Sequence, residues 1–559
     1  MLDPISQLPS RIIHYFQASR WRMIALIVGL LGMLALMIFV LGWLNSRNRL
    51  LPVLNWLNLL LIPLVLVIAA TWLAHVWRRT RLHIALIQDN RTMIESYFDR
   101  LSDLLLNRDL RQVGPHDEVA HVARAHTLTV LRKLDGENCG QVIRFLYEAS
   151  LLGAESPVVD LQGAELVGLD LTRVQMTGLN LRNVDMRNAR LENCSMTASD
   201  LRGAILECAK LSQADLSESY LRGALLAGST LAGANLKGAI LTKADFTGAD
   251  MRGADLREAN LAGATLSGAD LSAANLKGAK LTGANLSGAI LDEADISLAI
   301  LTRANLVSAI AHSVDLSGTN LTGADLSNGV FENAIMGGAI LSETILTEAN
   351  LQGANLNLAN LRGAMMNQST LVGASLRDAI MGRVALSGAD LSGCELTRAN
   401  LSLANLSRAI LNRANLEEAG LSGADLRSAQ LRGASLRGAI LRGAIMSDAD
   451  LSKADLTKAN LRWANLNNAN LTGADLTEVD LTDAEVSPQA LAKVRAMSKP
   501  SRIDGTRQES TPLAVDAPVN TGPFPPEPTP RYRRPVIEKQ TGEIELPKET
   551  PGDATKTAS

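Results

Sequence analysis

Aromatic side chains are scarce in this sequence: they make up 3% of its 559 residues, although 47% of the residues are hydrophobic. A globular core normally fills its volume with large aromatic and β-branched side chains. Alanine and leucine supply most of the hydrophobic residues here, so we expect a narrow and repetitive core. The formal net charge of −3 gives no overall argument for nucleic acid or an anionic surface as the partner.

Cysteine is also rare, and its copies lack the CxxC spacing of metal and redox sites; they are Cys139, Cys194, Cys208 and Cys394. The sequence therefore predicts neither a zinc site nor a disulfide framework. We expect Cys194 and Cys394 to be buried and inert, because they occupy core positions of the repeat described below. Cys208 is expected at a corner of the repeat and is the thiol most accessible to a reagent.

Charged residues are absent from two long stretches near the N-terminus, residues 23–46 and 50–77. Each stretch exceeds the roughly 20 apolar residues that a helix needs to cross a bilayer. Tryptophans lie near the ends of both stretches, where an indole ring can be buried while its N–H stays hydrated; they are Trp21, Trp43, Trp56, Trp72 and Trp77. The sequence predicts transmembrane helices over residues 23–45 and 57–77.

Arginines favour one orientation for this predicted hairpin. Two lie in the connecting loop and six flank the outer ends, namely Arg11, Arg20, Arg22, Arg78, Arg79 and Arg81. Because positive residues accumulate on the cytoplasmic side of a membrane, we expect residues 1–22, both termini and the domain after the hairpin to be cytoplasmic. The apolar runs are too long for a cleaved signal peptide.

Residues 81–153 are predicted to form a helical linker. Apolar residues recur there at three- and four-residue steps, which makes one side of a helix apolar; they are Ile94, Tyr97, Phe98, Leu101, Leu104 and Leu105. A second helix is expected over 119–134, a turn over 135–138 and a third helix over 142–152. Histidines five residues apart are about 140° apart on a helix and do not converge on one metal; they are His116, His121 and His126.

A five-residue repeat dominates the rest of the chain. From Leu161 to Val486 every fifth residue is apolar, with Ala311 the only small exception. Leucine occupies 53 of these 66 positions, and the register of the repeat never slips. From Leu166 onward a small residue, most often alanine, precedes each of them by two, and the residue between is often Asp or Asn. Glycine is frequent two residues after the leucine.

This period fits neither regular element, because it would spread leucines around a helix or send them to alternate faces of a strand. The alanine and leucine of one repeat are two residues apart, so in an extended segment both point inward and the residue between them points out. The remaining two residues turn the chain, and four such corners close a coil of about 20 residues. About 16 coils at the strand spacing of ~4.8 Å give a stack roughly 80 Å long.

Tandem A(D/N)LxG repeats such as Ala254-Asp255-Leu256 resemble the pentapeptide-repeat proteins. The resemblance covers residues 158–486 and implies an all-β, right-handed quadrilateral β-helix. Ala123 to Gly136 and Phe145 to Glu148 also resemble the segment before the repeats in membrane-anchored bacterial members. The resemblance implies a protein of the bacterial inner membrane that binds partners instead of catalysing a reaction.

Both ends of the predicted solenoid depart from the regular pattern. Larger residues replace alanine in the first coils, where the helical linker can cover the exposed core; they are Leu169, Val174, Leu179 and Val184. At the other end, Ser487 and Pro488 predict the start of a capping helix over 487–498. Residues 501–559 are rich in proline and charge and are predicted to be a disordered tail.

The sequence contains no nucleophile-elbow serine, phosphate-binding loop or paired-carboxylate cleft. We therefore predict that the chain is not an enzyme and has no catalytic, cofactor or metal site. Since residues 20 apart should lie above one another, two ladders of basic residues are the candidate partner-binding surface: Arg182, Arg202 and Arg222, and Lys237, Arg257 and Lys277.

The leading functional prediction is a non-catalytic, membrane-anchored scaffold that offers a rigid surface to an unknown protein partner on the cytoplasmic side. One alternative is a DNA-mimicking regulator of an enzyme such as gyrase, which the resemblance to soluble members suggests. Residues 158–486 carry 36 acidic and 27 basic residues, which is a weak negative balance for such a mimic. Another alternative is a subunit of an oligomeric membrane channel. Nucleic acid is not expected as a partner, and the oligomeric state is left open.

Overall fold

The computed structural model describes residues 51–112, 114, 117–153 and 157–497. All of them belong to one unit, Met1–Gly505, and the second unit, Thr506–Ser559, lies outside the described residues. The predicted N-terminal segment 1–22, the first predicted transmembrane helix at 23–45 and the predicted tail 501–559 also lie outside them.

Three helices precede the repeats: α1 (Leu51–Asn107), α2 (Glu118–Leu131) and α3 (Gly136–Glu148). Helix α1 continues without a break through the second predicted transmembrane segment, 57–77, into the predicted linker. No helix within the described residues combines the length and the apolar composition needed to cross a bilayer, and the predicted transmembrane hairpin is therefore unsupported there.

The apolar stripe of α1 packs against α2. Ile94, Tyr97 and Leu101 are buried along it. The Tyr97 hydroxyl lies 2.9 Å from the Thr127 hydroxyl, and burial raises the pKa of Tyr97 well above its usual range. His126 stacks on the Tyr97 ring at a centroid distance of 5.5 Å, so this histidine is a packing residue between two helices.

Helix α3 closes the first coils of the repeat, and it begins earlier than predicted. Asp135 caps its N-terminus, so the segment predicted as a turn is the first turn of the helix. The Gly136 carbonyl accepts a hydrogen bond of 3.0 Å from the Asp170 N–H. A Cβ atom at Gly136 would lie 1.8 Å from the Gly168 carbonyl oxygen, and one at Gly140 would lie 2.2 Å from the backbone carbonyl oxygen of Asp170. Glycine therefore permits the helix to lie directly on the coil edge.

The repeats form a stack of four-sided coils with a period of 20 residues. Parallel bridges join residues 20 apart along the whole stack, from Glu165 and Asp185 to Asn465 and Glu485. At each bridge, backbone hydrogen bonds run in both directions between the two neighbouring coils. In one of them the Leu286 N–H donates to the Asn305 carbonyl at 2.7 Å. Each side of a coil contributes one short extended segment. The stack is therefore held together by hydrogen bonds between the short segments of successive coils, and long strands are not needed.

Alanine and leucine fill most of the interior, and the corners use a left-handed backbone. Gly283, for example, has φ of 63°, a conformation that glycine adopts without strain. At one irregular site in the core, Ala311 stands in the place of leucine and Val314 in the place of alanine, and both are fully buried. The sizes are exchanged, so the core volume is kept.

The C-terminal end differs from the predicted capping helix over 487–498. Helix α4 covers only Pro488–Leu491, with Ser487 as its N-cap. The chain then forms strand β2 (Ala496–Met497), which pairs in parallel with β1 (Asp475–Leu476). Strand β2 thus covers part of the last coil edge. By pairing with the free N–H and C=O groups of that edge, the segment gains hydrogen bonds that it would lack as an isolated short helix.

Candidate binding surface

The outward residues of the stack fall into four rows, one on each face, with members 20 residues apart. One row runs from Asn180 through Tyr220 and Ile340 to Asn460. This row, together with the two corner residues before and the two after each of its members, is called the basic side. It extends from Arg182 to Trp463. The other three rows and the remaining corners form the rest of the solenoid surface.

The two predicted basic ladders lie at the two edges of the basic side. Arg182, Arg202 and Arg222 occupy successive coils at one edge, and backbone bonds such as Asn183 N–H to the Arg202 carbonyl, 3.0 Å, join these coils. The second ladder occupies the other edge; it comprises Lys237, Arg257 and Lys277. Sequence reasoning placed each ladder on one face but did not place both beside the same row.

A buried carboxylate occupies part of the first ladder. Asp200 is 5% exposed and accepts hydrogen bonds from Arg182 and Arg202, the latter through Nε at 2.8 Å and Nη2 at 2.6 Å. The Arg202 guanidinium also lies 5.9 Å from the centroid of the Tyr220 ring. Arg222 forms no ion pair with any described residue, so it is the one cation of this ladder that is open to a partner.

The second ladder is likewise divided into cations that form ion pairs and cations that do not. The Arg257 guanidinium binds Asp255 through Nε at 2.8 Å and Nη2 at 2.6 Å. These hydrogen bonds hold the pKa of the Asp255 carboxyl below its usual range, with a smaller contribution from the charge of Lys237. Lys237 and Lys277 form no ion pair among the described residues. Three of the six predicted residues, Arg222, Lys237 and Lys277, are thus cations outside any ion pair among the described residues.

Charge is strongly divided between the basic side and the rest of the surface. Between Arg182 and Trp463 the basic side carries 17 basic and 7 acidic residues, whereas the rest of the surface carries 9 basic and 21 acidic residues. The central row has no acidic residue from Tyr220 to Asn460. The near-zero net charge of the whole chain hides this division. Sorting the sequence by its 20-residue period is the signal that could have found it.

Exposed apolar side chains also concentrate on the basic side. Tyr220 and five isoleucines lie in its central row, each 36–45% exposed; the isoleucines are Ile240, Ile300, Ile340, Ile380 and Ile440. Four larger protrusions occupy its corners, each with φ of 58–60°, and they are Leu298, Leu358, Leu403 and Trp463. Among the described corners of the repeat, no other bulky apolar residue has this left-handed backbone. Left-handed geometry is unfavourable for such residues, so an exposed leucine or tryptophan there is not explained by the fold.

Trp463 is the most elaborate of these protrusions. Its ring is 49% exposed and lies 4.8 Å from the Arg442 guanidinium and 4.9 Å from that of Arg462. Both contacts are within the range of cation–π attraction. An exposed aromatic ring in contact with two cations is suited to a partner that is both anionic and apolar.

Other reactive groups of the described residues are dispersed. Cys139, Cys194 and Cys394 are buried, and burial raises the pKa of each thiol to about 12. Cys208 is exposed. His312, which follows the irregular Ala311, is paired with Asp292 at 2.8 Å. Among the described residues no group of three or more His, Cys, Asp or Glu could hold a metal ion.

The solved structures similar to this chain include pentapeptide repeat proteins. HetL, involved in heterocyst differentiation regulation in the cyanobacterium Nostoc sp. strain PCC 7120, is 38% identical over 40% of this chain and 89% of HetL, with a TM-score of 0.20. A pentapeptide repeat protein of the Arabidopsis thaliana thylakoid lumen is 40% identical over 18% of this chain and 72% of that protein, with a TM-score of 0.13. Full-length QnrB1, a plasmid-mediated fluoroquinolone resistance protein, is 22% identical over 37% of this chain and 96% of its own, with a TM-score of 0.14.

The family profile for pentapeptide repeats matches this chain in overlapping segments from residue 159 to residue 328 and from 330 to 483. No curated protein matches it. The matched segments cover more than half of the sequence and coincide with the 20-residue coils. The chain belongs to the pentapeptide-repeat family, whose fold is a right-handed quadrilateral β-helix.

Proposed function

We propose that the chain is a non-catalytic scaffold that holds other macromolecules against its solenoid. The observation that carries this proposal is the fixed backbone of the display surface. Every coil between Glu165 and Glu485 is bonded to the next coil on all four sides, so outward residues of successive coils keep a constant spacing of ~4.8 Å. A partner that matches such a surface loses little free energy to ordering it.

The scaffold is proposed to lie at the cytoplasmic side of a bacterial inner membrane, attached through residues 23–45 and 57–77. The support is the sequence: two uncharged stretches and the arginines that flank them. Alkaline extraction of the host membrane fraction tests this attachment. The full chain should stay in the pellet, and its release into the supernatant would contradict the proposed anchor.

The basic ladders remain the first candidate for a partner surface. Arg222, Lys237 and Lys277 supply the uncompensated charge, while Arg182, Arg202 and Arg257 are already bound to carboxylates. A partner of this surface should therefore be anionic. The other faces, where acidic residues dominate, are open to protein partners of the opposite charge.

Proximity labelling in the host tests the scaffold function. A labelling enzyme fused after residue 559 should modify a discrete set of proteins. In the matched control the same enzyme follows residue 157, so that the predicted anchor is kept and the solenoid is missing. The proposal requires proteins labelled only when residues 158–486 are present, and identical sets from both chains would refute it.

The two alternatives from the sequence gain no specific support from the described residues. The DNA-mimic hypothesis is tested by adding the full chain to a gyrase supercoiling assay, where a scaffold should have no effect. The channel hypothesis is tested by the mass of the detergent-solubilised chain, since two helices per chain form a pore only in a large assembly.

A further inference from the structure

The basic side combines cations and exposed apolar side chains along about fourteen coils, a strip roughly 65 Å long at the strand spacing. Ten of its 17 cations form no ion pair among the described residues; they are Arg222, Lys237, Lys243, Lys277, Lys280, Arg303, Arg362, Arg383, Arg442 and Arg462. Uncompensated charge of one sign on one side of a rod points to a partner of the opposite sign.

We propose that the basic side lies along the surface of an anionic lipid bilayer. Basic residues hold a protein at negatively charged headgroups, while aliphatic and aromatic side chains enter the boundary between headgroups and acyl chains. This inference deepens the proposed function, on which it rests for the location of the scaffold, by naming the anionic partner of the basic ladders.

The corner residues favour a bilayer over a purely polar polyanion. Leu298, Leu358 and Leu403 are 57–66% exposed, and they stand where many other corners have glycine. A strained backbone that exposes a bulky apolar group is a cost to the fold, which points to function elsewhere than in folding. Trp463, with its ring between two arginines, has the amphipathic character of residues found at membrane interfaces.

A second copy of this chain is a poor occupant of the same surface. Two basic sides face to face would bring like charges together in the coils before Arg303 and after Arg362, and like-charge juxtaposition opposes association. A flat bilayer can instead contact every coil of the strip at once. The acidic faces would then point away from the membrane, where protein partners can reach them.

Thiol protection in reconstituted vesicles tests this orientation with the full chain. Cys208→Ser removes the exposed native thiol, and the other three cysteines are buried. Ile340→Cys then places one reporter on the basic side, and Ile310→Cys places a matched reporter on the opposite face. The two isoleucines are nearly equally exposed, at 40% and 38%. A membrane-impermeant maleimide reports the accessibility of each thiol.

The vesicles are phosphatidylcholine alone or with about one third phosphatidylserine, a proportion that gives a negative surface potential. In anionic vesicles the Ile340→Cys thiol should react about tenfold more slowly than in neutral vesicles, and high salt should restore its rate because exposed charges are screened. The Ile310→Cys thiol should react equally fast in both. Equal rates for Ile340→Cys in both vesicles, or equal slowing at both positions, would overturn the proposal.

A charge variant separates lipid contact from other sources of protection. Arg222→Gln, Lys237→Gln and Lys277→Gln together should restore most of the Ile340→Cys reactivity in anionic vesicles. The same charge loss elsewhere, with Arg408→Gln, Arg413→Gln and Arg432→Gln, should leave the protection intact. Protection that survives the first variant, or that needs added cytosolic protein, would refute a lipid partner. Neither result depends on the proximity-labelling comparison, so this proposal and the scaffold function can fail separately.

Discussion

The basic side and the opposite face share one backbone and one core, yet their outward residues differ in kind. The central row of the basic side has no acidic residue from Tyr220 to Asn460, whereas the opposite row carries four between Thr230 and Asp450; they are Asp250, Asp270, Asp390 and Asp450. The coil-to-coil hydrogen bonds are the same on both faces. The fold therefore accepts either composition, and the difference between the faces reports what each one meets.

Local hydrogen bonds explain why Asp and Asn suit the outward position on any face. Asp315 accepts a bond of 2.9 Å from the Ser317 N–H, two residues later, and Asn275 accepts one of 3.0 Å from the Lys277 N–H. Such bonds satisfy a corner donor. The isoleucines of the basic side give up this bond, as does Ile310 on the opposite face.

The largest expected effect distinguishes the shared core from either surface. Leu286→Ala removes a fully buried side chain and should lower the free energy of unfolding by about 2–5 kcal/mol, since the rigid coil cannot collapse into the cavity. Ile340→Ala on the basic side should change it by less than about 0.5 kcal/mol. Denaturant unfolding of the full chain, followed by circular dichroism, measures both. A basic-side change as costly as the core change would mean that this row stabilises the fold.

The coil was predictable from the sequence because its core rule is local. Alternation of alanine and leucine, the turn after each pair and the 20-residue closure all follow from side-chain direction within five residues. The basic side was not found in this way, because its members are 20 residues apart and their charge cancels in the total. Only the stacking of coils brings Arg222, Lys237 and Lys277 beside Tyr220 and Ile240.

The two ends of the stack show a different limit. The sequence predicts a turn over 135–138, whereas the structure places Gly136 at the start of α3, where it lets the helix approach the Gly168 carbonyl. At the C-terminus the sequence from Ser487 predicts a helix, whereas Ala496 pairs with Asp475. Both outcomes depend on contacts with a distant coil edge, which a local pattern does not contain.

A smaller effect should separate strain from function at the corners of the basic side. Leu358→Gly relieves a left-handed backbone with φ of 60° and exposes little new surface, because the leucine is already 66% exposed. We expect a gain of about 0.5 kcal/mol, since relief of strain exceeds the added chain entropy of glycine. Ser308→Gly, with φ of 57° at a corner outside the basic side, should give a similar gain.

These two variants should diverge in anionic vesicles. Leu358→Gly should weaken the protection of the Ile340→Cys thiol, and Ser308→Gly should leave it unchanged. Denaturant midpoints and maleimide rates, measured on the same preparations, decide the matter. If Leu358→Gly destabilised the chain, the leucine would be a packing residue and the argument from strain would be wrong.

The smallest effect concerns acid and belongs to the faces outside the basic side. Arginines two residues later bind Asp250, Asp255 and Asp425, and their hydrogen bonds are the main reason that the pKa of each carboxyl is lowered. A lowered folded-state pKa contributes stability that is present above the unfolded value of about 4 and is lost as the pH falls through the folded value. The full chain should therefore lose stability below about pH 4.

Replacing Asp250, Asp255 and Asp425 with Asn, which keeps the outward amide oxygen found in many coils, should reduce the difference between the unfolding midpoints at neutral and acid pH. Glu293→Gln, Glu348→Gln and Asp448→Asn, which remove carboxylates without ion pairs among the described residues, should leave that difference nearly unchanged. Equal effects of the two triple variants would show that overall charge, and not the Asp–Arg pairs, sets the response of these faces to acid.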